Sequence, residues 1–119
     1  MIATHGVQAA LATFDAARAR DPEADLFQEA RLNQVGYRLL RNNRRPDAIV
    51  VFRKIVELFP GSSNAHDSLA EALEAAGDKA EAVSVTRKGL EVLEREQLPD
   101  ARRQQMKDAL EGRLRRLAP

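Results

Sequence analysis

Residues 34 apart in this 119-residue chain match in kind. Leu39 falls on Leu73, Ala48 on Ala82, Val35 on Leu69 and Gly36 on Ala70. Further along, Ile49 falls on Val83, Val56 on Leu90 and Leu58 on Val92. The turn NRRPDA at 43–48 falls on GDKAEA at 77–82. Large, small and turn positions thus recur with one period. Units of this size cannot bury an apolar face alone, so neighbours must stack to make a continuous core.

The units are helical. Pro and Gly cut the chain at DP (21–22), NNRRPD (42–47), FPGSS (59–63), AGDK (76–79) and LPD (98–100). Between the cuts, apolar residues recur at helical spacing, as in Leu32, Val35 and Leu39. The one β-like run, AIVVF at 48–52, sits inside a longer helical pattern with Pro46 near its start. The pattern predicts six helices, at about 6–20, 27–42, 46–59, 63–76, 79–96 and 100–117. Aromatic residues are scarce, with four Phe, one Tyr and no Trp, so Ala, Leu and Val must supply the core. That composition suits close helix packing better than a β-sandwich. Asn43 and Gly77 tolerate the left-handed conformation that ends a helix. Ser63 or Ser62 can cap the next helix, and Asp47 and Asp78 put acid near helix N-termini. The last helix carries one apolar stripe of Met106, Leu110, Leu114 and Leu117 among charged residues. This is the pattern of a terminal capping helix, and a homodimer seam is the other use of such a stripe.

In the first unit the repeated positions are Leu32, Val35, Gly36, Leu39, Ala48, Phe52, Ile55 and Pro60. In the second they are His66, Leu69, Ala70, Leu73, Gly77, Ala82, Thr86 and Gly89. Ala10, Phe14, Ala17 and Pro22 repeat the second-helix spacing once more. This 34-residue hairpin resembles the tetratricopeptide repeat, over roughly residues 8–94. Ile55 departs from the family's usual Ala, His66 and Thr86 replace large apolar or aromatic residues, and Glu94 stands where Pro is usual. The resemblance implies an all-α, right-handed stack of about six antiparallel helices in a single domain, 1–119. Its parts would be a half repeat at about 6–22, repeats at 29–62 and 63–96, and a capping helix at about 100–117. The run from Leu32 to Val83 is also similar to the repeat tails that follow some bacterial serine hydrolases of the β-lactamase and esterase type.

His66, Asp67 and Ser68 are the residue types of a hydrolytic triad, but they are consecutive. Neighbours on a helix point about 100° apart and cannot hydrogen-bond in the series a triad needs. The repeat gives His66 an apolar packing position instead. With His5 the chain has only two His and no Cys, so no metal site, thiol chemistry or other cofactor is expected.

The resemblance places the first helix of each unit on a concave groove. By register that groove includes Asn33, Tyr37 and Arg41, then Asn64, Asp67, Ser68 and Glu71. Asn and Arg can hold an extended peptide backbone or a carboxylate. A family subtype clamps C-terminal carboxylates with Lys and Asn on one helix; here those places hold Asn33 and Tyr37, with Asp67 and Glu71 adjacent, which argues against that clamp. Arg41 against Asp67 and Glu71 favours a ligand carrying both signs.

Charge excludes some partners. The formal net charge is +1, and the Arg clusters at 38–45 and 102–116 have acids interleaved and no aromatic platform, so no nucleic-acid partner is expected. No run approaches the ~18 apolar residues of a membrane span. The opening residues lack a basic n-region and contain Asp15, so a signal peptide is not expected and the cytoplasm is the implied compartment. The periplasm applies if the chain belongs to an exported protein. The leading expectation is a non-enzymatic module binding a protein or peptide segment. The alternative is a structural or oligomerisation domain appended to, or derived from, a bacterial hydrolase.

Overall fold

The structure is a computed structural model that describes residues 25–118. The helix expected at 6–20 lies outside the described residues. Five α-helices follow: α1 (Asp25–Arg41), α2 (Arg45–Leu58), α3 (Ser63–Ala75), α4 (Lys79–Arg95) and α5 (Asp100–Leu117). No strand occurs among the described residues. Consecutive helices pack on one another, and α5 also reaches α3.

The period is visible in the backbone. After α1, Arg44 N–H donates to Leu39 O at 2.8 Å and Asn43 N–H to Leu40 O at 3.2 Å. After α3, Asp78 N–H donates to Leu73 O at 2.9 Å and Gly77 N–H to Glu74 O at 3.0 Å. These are two Schellman closures 34 residues apart, each with its hinge residue at positive φ: Asn43 at 58° and Gly77 at 87°. The helix starts are built from the following residues. Ser62, rather than Ser63, caps α3 by accepting from Ala65 N–H at 3.2 Å. Asp78 caps α4 by accepting from Glu81 N–H at 3.2 Å. α2 has Pro46 in its first turn and no side-chain cap; Arg44 instead pairs with buried Asp47 at 2.7 Å.

The main core joins Leu32, Leu39, Ala48, Val51, Phe52, Ile55, Leu69 and Leu73, and a second cluster joins Leu93, Met106 and Leu110. Gly36 is the contact on which the first hairpin closes. A Cβ built there would lie 2.6 Å from the Phe52 ring. Tyr37 meets the same ring edge-on, with centroids 5.0 Å apart. The second unit has Ala70 and Thr86 at the equivalent places, both fully buried. With Thr86 in place of the ring, glycine is not required at the facing position, which accounts for Ala70. Gly89 admits His66 and Leu110: a Cβ on it would come 3.1 Å from His66 Cβ and 3.2 Å from a Leu110 methyl. His66 is buried, as its packing position requires, and its Nδ1 lies 2.9 Å from Ser62 O.

Two expectations need correction. Val35 is exposed although its repeat-mate Leu69 is buried. Helices precede and follow α3 along the stack, whereas α1 packs chiefly on α2 among the described helices. On α5 the inward residues are Met106, Leu110 and Arg113, with Leu114 only half-buried. α5 turns its C-terminal half toward acidic side chains of α3. Because Glu94 replaces Pro, α4 also runs on to Arg95 and ends ahead of Pro99. Arg103 of α5 then donates to Leu93 O and Glu96 O and so satisfies carbonyls at the end of α4.

Candidate functional site

Three of the seven groove residues meet. The Tyr37 hydroxyl of α1 lies 3.0 Å from both Ser68 Oγ and Glu71 Oε1 of α3. A phenol has one hydrogen, so it donates to the carboxylate and accepts from the serine. Burial, with the Glu71 charge adding to it and the Ser68 bond opposing it, pushes the Tyr37 pKa up to about 12. The tyrosine therefore stays protonated and forms a fixed floor between α1 and α3.

The flanking residues stand one helical turn away. Asn33 and Arg41 lie four residues either side of Tyr37 and share its face of α1; Asn64 precedes Ser68 by four on α3. Asn33 and Asn64 are half-buried and Arg41 is exposed. Asn33 Oδ1 is a buried acceptor with no hydrogen-bond partner among the described residues. Such an atom costs roughly 1–3 kcal/mol until something donates to it.

Asp67 is engaged elsewhere. Arg113 of α5 donates to Asp67 Oδ1 and, at 3.3 Å, to Glu74 Oε1. Arg116 adds bonds of 3.0 and 3.1 Å to the Glu74 carboxylate. Arg113 is 7% exposed. Burial works against its charge, but the Asp67 bond and the nearby carboxylates outweigh that and raise its pKa, so it remains a cation. Burial likewise opposes the Glu74 anion, yet the bonds from Arg116 and Arg113 prevail and lower its pKa. These four side chains tie the end of α5 to α3.

Sequence reasoning missed Arg113, Arg116 and Glu74. The available signal was spacing: Met106, Leu110, Arg113 and Leu117 follow the 4, 3, 4 pattern of one inward helical face, with an arginine in an apolar place.

His66, Asp67 and Ser68 go to three separate partners: the Ser62 carbonyl, Arg113 and Tyr37. No group of three metal-ligating side chains forms among the described residues, and no described helix is long and apolar enough to cross a membrane. On the outer side, Pro60, Gly61, Lys88, Val92 and Arg95 line an open cleft of about 420 Å³. Compared with protein-family models and with curated proteins, the chain matches none.

Proposed function

We propose that this chain is a tetratricopeptide-like module, a right-handed stack of antiparallel hairpins, that binds a short peptide segment in the groove formed by α1 and α3. The paired Schellman closures one period apart support the repeat reading. The observation that carries the binding reading is the floor made by Tyr37, Ser68 and Glu71, flanked by the unpartnered Asn33 Oδ1. The side-chain amide of half-buried Asn33 can hydrogen-bond an extended main chain. Asn64 offers a second amide on the facing helix, and Tyr37 supplies an apolar wall with a polar tip. Two described inner helices hold only a few ligand residues, so the expected affinity is roughly micromolar.

The test is a peptide-library screen against wild type and the Asn33→Ala/Asn64→Ala double variant. Selected peptides should lose roughly tenfold or more on the variant, the cost of one or two hydrogen bonds. Equal binding to both proteins would refute the groove.

A second reading, a structural domain appended to or derived from a hydrolase, is favoured by the Asp67–Arg113–Glu74–Arg116 cluster, which spends groove charge on internal cohesion. Binding that is lost altogether from the screen would leave this reading standing.

A further inference from the structure

We infer that the ligand of this groove is acidic and that its carboxylates are taken at the α1 end by Arg38, Arg41 and Arg45. The inference rests on the groove reading above and replaces the mixed-charge ligand that the sequence suggested. Its basis is a charge inventory. On α3, Asp67 and Glu74 face Arg113 and Arg116 while Glu71 faces Tyr37, and every one of these acids already accepts a hydrogen bond. Three acids against two bases leave one net negative charge there. At the α1 end, Arg38, Arg41 and Arg45 are exposed and form no ion pair among the described residues. The acids nearest in sequence are spent: Glu29 accepts from Ser62 Oγ at 2.7 Å, and Asp47 accepts from Arg44.

The arginines are not explained by helix capping. The C-terminal end of α1 carries a dipole charge of only about −0.5, which offsets a fraction of three cations. The same turn in the second unit manages without them. Arg41 corresponds to exposed Ala75, Arg38 to the core residue Ala72, and the turn there mixes Asp78, Lys79 and Glu81. Nor does the patch suit nucleic acid, because the only aromatic among the described groove residues, Tyr37, has its hydroxyl bound to α3 and its ring edge against Phe52. An acidic peptide meets the charge of the site: it brings side-chain carboxylates to the arginines.

The experiment titrates the full chain with three fluorescein-labelled octapeptide pools of equal length: Asp/Glu-rich, Lys-rich and uncharged. A single-stranded oligonucleotide is the fourth probe. The acidic pool should bind roughly 2- to 30-fold tighter than the uncharged one, the range for two exposed ion pairs. The gap should narrow as salt rises. Arg38→Glu/Arg41→Glu should reverse the order of acidic and basic pools, while Arg87→Glu/Arg95→Glu on α4 should leave it unchanged. Both variants alter exposed side chains, and circular dichroism checks that each is folded. Uncharged and acidic pools binding equally, or both variants weakening binding alike, would overturn the inference while the groove reading survived. Tighter binding of the oligonucleotide than of the acidic pool would also overturn it. Failure of every peptide pool would remove the groove reading and this inference together.

Discussion

A methyl group added at Gly36 should destabilise the protein, although Gly is a poor helix former. In the middle of α1, Gly→Ala gains about 1 kcal/mol of helix propensity. The new Cβ, however, would stand 2.6 Å from two carbons of the Phe52 ring and 3.0 Å from a third. Carbon atoms prefer ~3.5–4.0 Å, so the overlap approaches 1 Å. Phe52 is fully buried and Tyr37 lies against its ring, so the ring has nowhere to swing. Overpacking of this kind costs about 1–3 kcal/mol, which exceeds the propensity gain and leaves a net loss of up to about 2 kcal/mol. At this chain length, about 4 °C per kcal/mol, that lowers Tm by up to about 8 °C. Gly112→Ala is the matched control, because the nearest atom to its Cβ would be 3.8 Å away and propensity alone acts. It should raise Tm by about 4 °C. The assay is thermal unfolding followed by circular dichroism. Equal stabilisation by both substitutions would show that Phe52 does not press on Gly36. A second check is Gly36→Ala combined with Phe52→Leu, which should cost less than the two single changes added together.

Arg113→Ala strands Asp67 and leaves Glu74 with Arg116 alone, and because these carboxylates retain 17% and 28% exposure the loss should be about 1–3 kcal/mol, below the range for a fully buried pair. Urea unfolding measures it, and an unchanged midpoint would mean that α5 is held by Met106 and Leu110 alone. Gly77→Ala should cost about 1–2 kcal/mol, because φ of 87° is strained for any residue with a Cβ, even though the space around it is open. Glu74 has a folded pKa below its ordinary 4.5, the Arg116 and Arg113 bonds outweighing burial. Its contribution is therefore complete above pH 4.5 and is lost as pH falls through the folded value. Urea midpoints should drop between about pH 5 and 3, and less so in Arg113→Ala/Arg116→Ala.

The helix limits were legible because local chemistry sets them. Pro46, Ser62, Asp78 and Pro99 start helices, and Asn43 and Gly77 end them, wherever the chain later packs. The core positions were legible because Leu39 and Leu73, or Ala48 and Ala82, do the same job in each unit. Tertiary placement was not. Arg113 looked like one more solvated cation, since its burial depends on carboxylates 46 and 39 residues away. Val35 looked buried because its repeat-mate is, yet burial depends on what packs outside the helix and not on the repeat position. The groove was read as a row of independent polar side chains. What differs among them is which are already bonded: Tyr37, Ser68, Glu71 and Asp67 have side-chain partners, whereas Asn33 Oδ1 has none among the described residues.

The central claim is that a ligand lies across α1 and α3. Chemical-shift mapping by ¹⁵N–¹H correlation, titrating the full chain with an acidic octapeptide, tests it most directly. The side-chain NH₂ signals of Asn33 and Asn64 and the backbone amides of residues 33–41 and 64–71 should move together and saturate at one midpoint. Shifts confined to α2 and α4, around Lys88 and Arg95, would contradict the account and place the binding surface on the opposite side of the stack.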